Sequence, residues 1–514
     1  TMQRLCELVG AGPNKELLGK AKADHQRQVY ELKTRDQART QIMQPSLEGA
    51  IPEGLKPWRE VVTPHSDVAT GEYQIAEFAA DLAQVSKNLG SPEYLDPEEF
   101  FRRTYLTEGI KDLVRKAVLR LQDQGGAPSI ELQTNFGGGK THTLLAMYHL
   151  FSGVDVSNLP NISEFIQEEN LPAPIHAKRA VLVGTDLTPG KVYEKEDGVA
   201  VRTLWGEMAY QLGGAEAYEL MRDLDENGQA PSTDDLKSLF DFVGPCLILI
   251  DEWITYASQI VERDDLSCGN FNDQHRFALV LPVAARQSRQ TLVMASIPAS
   301  EIELGGVNGV MALSEIKNAF GREAESWRPA EGNEGFEIVR RRLFDPIEGE
   351  EAHAYRDQAI HKFIEMYRKD SNKFPNECND GEYAEKLRNC YPIHPELFDH
   401  LYTEWGGLER FQRTRGVLRL MATIIYCLWK TGDRSLLIMP GSLPMHDGAV
   451  RNELTHYLDN IWEPIVTRDI DGDGSIPQRV DDLEPRFGKM SAARRVTRSI
   501  FIGTAPSSGS DSAG

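Results

Sequence analysis

The chain has 514 residues, 40% of them hydrophobic, with 56 basic against 78 acidic side chains and a net charge of −22. That length exceeds one typical domain and leaves room for two or three sizeable cores, while so acidic a balance argues against a protein that coats DNA through its overall field. Its six cysteines (Cys6, Cys246, Cys268, Cys378, Cys390, Cys427) form no CxxC pair and no apolar run approaches a membrane span, so the expectation is a reduced, soluble, cytoplasmic protein.

In chain order, residues 13–45 are charged and helix-favouring, which predicts a peripheral helix or two. Around residues 46–100 a series of prolines (Pro45, Pro52, Pro57, Pro64, Pro92, Pro97) predicts irregular structure with short helices. Phe100 to Leu121 reads as a helix leading into the next domain. Its cations Lys111, Arg115, Lys116 and Arg120 are spaced to lie largely on one side of a helix beginning near Thr107. A solvated face explains them better than a nucleic-acid contact. Arg340-Arg341-Arg342 and the group Arg494, Arg495, Arg498 are the other basic clusters.

Residues 131–143 read Glu-Leu-Gln-Thr-Asn-Phe-Gly-Gly-Gly-Lys-Thr-His-Thr. They form a glycine-rich loop between a short strand, Ser129–Gln133, and an apolar helix that begins near Thr141. Gly137, Gly138 and Gly139 carry no side chains, so the backbone from Thr134, Asn135 and Phe136 through to His142 can wrap a polyphosphate with its N–H groups inward. Lys140 supplies a point charge for the β- and γ-phosphates of ATP, and the Thr141 hydroxyl can ligate Mg²⁺. The positive end of the helix faces the same anion. The pattern G-x-x-x-x-G-K-[ST] has glycine at its first position. Here Thr134 stands there, and threonine does not take a positive φ cheaply.

Three apolar strands follow. Ala180–Thr185 reads as a buried strand, and residues 186–240 as a mixed helix-and-loop insertion. Cys246-Leu247-Ile248-Leu249-Ile250 is an unbroken apolar run ending in Asp251 and Glu252, the pattern of a buried parallel strand with its acids at the carboxyl end. In that position Asp251 would hold magnesium and Glu252 would orient and polarise the attacking water. Thr291–Ser296 is a third strand with a polar end, where Ser296 either touches the γ-phosphate or the water, or merely forms a turn.

Beyond it, Arg322 stands just before a predicted edge strand, at the domain rim, where a planar guanidinium could reach a neighbour's nucleotide; Arg328 is the other candidate, and a rim salt bridge the plainer account of either. Val417, Leu418 and Met421 form an apolar helical stripe, with Arg415 and Arg419 four apart on the opposite face, placed to close over a triphosphate. Asp469-Ile470-Asp471-Gly472-Asp473-Gly474 imitates a calcium loop but has Val480 at its twelfth position, where a bidentate Glu is needed, so a solvated turn is expected. His65, with Asp67 nearby, and His394 read as structural histidines. Strands alternating with helices around a phosphate loop argue for a three-layer α/β/α P-loop NTPase sandwich with a mostly parallel sheet, followed by a helical lid.

This order of parts resembles the AAA+ ATPases, and within them the origin-recognition and loader proteins. The resemblance makes Gly416-Val417-Leu418-Arg419 the lid element with Arg419 its second sensor and Arg415 its neighbour, and it places Arg322 at the finger-arginine position. A closer resemblance, to domain-of-unknown-function family 499, is carried by Lys56 to His65, Arg103 to Gly109, Thr134 to His142 and Phe411 to Gly416, and spans most of residues 50–505. It implies a large prokaryotic ATPase of phage-defence islands, often encoded beside DNA methyltransferases, and Thr134 fits that family's own loop. Members are usually longer, and with the polar tail Thr504–Gly514 this suggests an amino-terminal portion of a larger protein.

The expected layout is an amino-terminal extension over 1–99, a nucleotide-binding domain over 100–333, a helical lid over 334–432 and the start of a further region over 433–514. The expected activity is ATP binding and hydrolysis with Mg²⁺, in a homo-oligomeric switch or motor that acts with a DNA methyltransferase or nuclease. A nucleotide-gated scaffold of negligible turnover and a DNA-stimulated translocase are the alternatives.

Overall fold

The computed structural model describes residues 54–72, 80–134, 139–299, 306–327, 334–408, 411 and 414–506. The fold is mixed α/β. Five strands, β1 (Ser129–Thr134), β2 (Lys178–Val183), β3 (Cys246–Asp251), β4 (Thr291–Pro298) and β5 (Glu325–Trp327), form one sheet in the order β2-β3-β4-β1-β5, and every neighbouring pair is parallel.

Side chains alternate between the two faces of this sheet, and helices cover both. On one face Ile130, Leu132, Leu247, Leu249, Leu292 and Met294 pack with the helices α1 (Glu108–Leu121) and α2 (Lys140–Leu150). On the other, Ile248, Ile250, Val293, Ala295 and Ile297 pack with α3 (Trp253–Ser258), α4 (Gly306–Phe320) and the helices Leu204–Glu219, Thr233–Val243 and Phe271–Gln287. Burial on both sides is why β3 reads as a continuous apolar run, with all six residues buried.

The single helix expected over Phe100–Leu121 is two. Pro97–Arg103 ends at Thr104, whose backbone is extended, and α1 restarts where the Thr107 hydroxyl accepts from the Ile110 N–H at 3.1 Å. A threonine that can cap a helix competes with continuing one. The expected strand Ala180–Thr185 runs two residues earlier, because Gly184 begins the turn that leaves the sheet.

The edge strand β2 is covered by a side chain. Gln211 accepts from the Val181 N–H at 2.7 Å through Oε1 and donates through Nε2 to the Val181 carbonyl at 3.0 Å. Its amide takes the place a further strand would occupy.

A second, all-helical core is built from Gly335–Leu343, Glu350–Lys369, Gly381–Cys390, α5 (Thr414–Thr431), Gly448–Thr455 and Ala492–Thr504. Residues on both sides of position 433 share it: Val417 and Leu420 pack in one cluster with Leu443, Val450 and Phe501. The segment before residue 100 is divided. Trp58, Val61, Val62 and Val68 join the helical core, and the Trp58 indole donates to Asp433 at 2.8 Å. Leu82, Val85, Tyr94 and Phe100 join the core beside the sheet.

Candidate functional site

The topology sets the site. β4 lies between β1 and β3, so the carboxyl ends of the glycine-loop strand, the serine strand and the acidic strand stand side by side. Ile250 is level with Ala295, which brings the next residue of each strand, Asp251 and Ser296, together.

Asn135, Phe136, Gly137, Gly138 and the side chain of Thr134 lie outside the described residues, as does Arg328. The loop re-enters at Gly139, whose φ of +81° is the left-handed conformation that favours glycine. Lys140 and Thr141 form the first turn of α2, at its positive end. The Thr141 hydroxyl donates to Asp251 Oδ2 at 2.7 Å, and the Ser296 hydroxyl donates to the other oxygen, Oδ1. The Glu252 N–H also donates to Asp251 Oδ1 at 3.1 Å and lies 3.2 Å from Ser296 Oγ. Asp251 is 3% exposed, and these donors satisfy a carboxylate that would otherwise be costly to bury.

Glu252 departs from the strand into left-handed backbone, φ 53° and ψ 33°, and α3 begins immediately after it. That conformation is strained for a glutamate. The Thr255 hydroxyl donates to its Oε2 at 3.2 Å. Gly184 makes the bend possible: a Cβ there would lie 2.0 Å from the Glu252 carbonyl oxygen, and the Gly184 N–H donates to the Asp251 carbonyl at 2.8 Å. Neither Gly184 nor Thr255 was singled out by motif spacing, since each acts through a contact between distant segments.

Four further predicted residues are placed in different ways relative to this group. His142 packs on Phe100 at 4.6 Å between ring centroids and meets Thr104 Oγ1 at 3.0 Å. Burial, with the charge of Arg342, pushes its pKa down to about 3, so the ring is neutral. Arg415, in the first turn of α5, has its pKa lowered by burial and by Arg419, while Tyr94 and Glu252 act in the opposite sense. The field of Arg415 therefore reaches the glutamate.

Arg419 is held elsewhere, by Glu453 at 3.3 Å. Arg322 is exposed in the turn after α4. β5 starts at Glu325 beside Ile130, so Arg322 stands at the amino end of the sheet, opposite Asp251.

As oxygen donors, Thr141 and Asp251 suit a hard cation such as Mg²⁺, because they are already within hydrogen-bonding reach of one another and one of them is anionic. Lys140, the Gly139 turn and the start of α2 suit the anion that such a cation accompanies.

Other expected features resolve into structure. The calcium-like sequence is not the solvated turn expected throughout: Asp473 and Gly474 are exposed, but Asp471 ends the helical turn Val466–Asp471 and is buried, because it is tied to Arg498 at 2.7 Å and to His446 at 3.1 Å. No group of three or more His, Cys, Asp or Glu placed to hold a metal occurs among the described residues. His65 pairs with Asp345 at 2.8 Å, and His394 meets the Tyr367 hydroxyl at 2.8 Å. Five of the cysteines, Cys246, Cys268, Cys378, Cys390 and Cys427, are free and buried. No described helix is long and apolar enough to cross a membrane.

Residues 63–309 match the DUF499 N-terminal domain and residues 330–512 the DUF499 second domain. No curated protein matches the chain.

Proposed function

The chain belongs to the DUF499 family, and from the cluster it gathers around Asp251 we propose that it binds and hydrolyses ATP with Mg²⁺, as a P-loop enzyme of the AAA+ type. The observation that carries this reading is the Asp251 carboxylate, engaged on one oxygen by Thr141 from the glycine loop and on the other by Ser296 from the strand between. A lysine, a hydroxyl and two acids converging at the carboxyl ends of parallel strands is an arrangement suited to a polyphosphate and its metal.

On this reading Lys140 and the loop N–H groups bind the phosphates, and Thr141 and Asp251 hold Mg²⁺, which would neutralise developing charge. Glu252 accepts a proton from the attacking water, and the Ser296 hydroxyl fixes the orientation of Asp251. Arg415 adds positive charge from the helical side. On this reading Arg322, at the far end of its own sheet, would reach the nucleotide of a neighbouring copy in a homo-oligomer. A role as a switch or motor in a prokaryotic anti-phage system, beside a DNA-modifying partner, rests on the family resemblance alone.

The test is ATP binding and turnover in wild type, Lys140→Ala and Glu252→Gln. Lys140→Ala should lose binding; Glu252→Gln should bind ATP yet turn it over at least about 100-fold more slowly. Unchanged turnover in both variants would remove the assignment. Mixing tests the shared site: an Arg322→Ala subunit should restore hydrolysis to a Lys140→Ala subunit, and failure in demonstrably mixed assemblies would confine the site to one chain. The Thr255 hydroxyl that holds the Glu252 carboxylate favours a second reading, a slow, nucleotide-gated scaffold. Nucleotide-dependent partner binding with negligible turnover would select it.

A further inference from the structure

The basic clusters visible in the sequence are largely taken up in pairs, those of α1 on the solvated side of the helix. Lys111 pairs with Glu108, Arg115 with Glu169 and Lys116 with Asp112, and Arg120 donates to main-chain carbonyls including that of Thr291. Arg340 pairs with Glu337, Arg342 faces Glu93, Arg494 pairs with Asp481 and Arg498 with Asp471. A further set of cations, on no predicted cluster, lines a groove of about 530 Å³ along the edge strand β2.

Lys178 and Arg179, at the start of β2, line one part of this groove, and Lys87 and Lys195 line the rest. Lys178 is exposed and has no ion pair among the described residues. The Arg179 guanidinium lies over the Tyr148 ring, 4.0 Å from its centroid, and donates to the Tyr148 carbonyl at 2.8 Å. Tyr193 offers a second ring. Two acids temper the charge: Asp186 pairs with Lys87, and Glu207 with Lys195 at 2.7 Å. Four cations against two carboxylates make the groove net positive in a chain of net charge −22.

We propose that this groove binds single-stranded nucleic acid. Cations along an open groove suit a chain of phosphates, and the Tyr148 and Tyr193 rings among its lining, with Arg179 over the first and Lys191 over the second, are side chains of the kind on which unpaired bases stack. An added peptide strand is disfavoured, because Gln211 already occupies both hydrogen-bonding groups of Val181 on the free edge of β2. The acidic remainder of the surface repels a polyanion, which confines it to the groove.

Fluorescence anisotropy of a labelled oligo-dT with the full chain, without nucleotide, tests this. Wild type should bind at about 50 mM salt and lose affinity steeply by about 200 mM. The exposed substitution Lys178→Glu should weaken binding at least about 10-fold and flatten the salt dependence by roughly one charge, whereas Lys111→Glu, on the paired face of α1, should not. Lys140→Ala should bind like wild type, so failure of the ATPase reading leaves this result standing. Four outcomes overturn the proposal: no binding by wild type at low salt, equal binding by Lys178→Glu, tighter binding of duplex, or displacement by inorganic phosphate or polyglutamate at matched charge.

Discussion

At the scale of single residues, the site depends on how one buried carboxylate is held. The Asp251 carboxylate receives hydroxyl donors from two segments far from it in the chain, Thr141 and Ser296, so each fixes both an orientation and a pairing of elements. Ser296→Ala removes the donor to Oδ1 and leaves the Glu252 N–H with a poorer set of partners. Partners behind a ligand set typically change metal affinity or activity 10–100-fold. We therefore expect Ser296→Ala to keep ATP binding, to need roughly 10-fold more Mg²⁺ for half-maximal turnover, and to fold normally, as measured by a magnesium titration of the rate. Histidines set a second residue-scale property. Burial pushes His149 down to about 4, helped by Arg179 and opposed by its bond to the Tyr94 carbonyl, and burial with Lys386 nearby pushes His394 down to about 4. Below about pH 6.5 the unfolded chain takes up protons that the folded chain refuses, so stability is full above that pH and falls as pH drops toward 4. The slope is up to about 1.4 kcal/mol per pH unit for each ring. Urea midpoints at pH 7.5 and 5 should show this loss, and His149→Gln should show less of it.

At the scale of elements, legibility tracked how local the cause was. β1, β3 and β4 were readable because strands buried on both faces must be apolar throughout, and the glycine loop because a backbone wrapped around an anion excludes side chains. The break at Thr104 was not readable, since it depends on Thr107 winning a cap over helix continuation. Nor was the role of Gln211, which is ordinary in a helix until the fold sets it beside Val181. The helix α5 shows the same limit. Spacing put Arg415 and Arg419 on one face with one expected role, yet four residues of rise place Arg419 against Glu453 while the field of Arg415 reaches Glu252. The two should separate by mutation. Arg415→Ala should change turnover with little change in unfolding midpoint. Arg419→Ala should lower stability by roughly 1–2 kcal/mol, because the partly buried Glu453 is left with a poorer set of partners, and should affect turnover less. Equal effects of both on turnover would restore the single role.

At the scale of the molecule, the chain before the sheet ties its two cores together. Residues around Trp58 pack among the distant helices, whereas those from Leu82 onward pack beside β1. Its prolines predicted irregular structure with short helices, and its described residues are so built; what the prolines could not disclose is that successive parts of it belong to different cores. Trp58 is fully buried, with its indole on Asp433. Trp58→Ala should cost about 3–5 kcal/mol. Thermal unfolding should show the helical part melting earlier, with the sheet part nearly unchanged.

The last strand of the sheet bears on how this protein can be divided. β5 and most of α4 fall after residue 309 and before residue 330, between the two family matches, yet β5 pairs with β1 and α4 covers the sheet. A fragment cut at residue 309 would strip β1 of its outer neighbour and lay bare the apolar flank beneath Ile316 and Phe320. Such a piece should clump through its raw border, and one carried on through Trp327 should stay dispersed.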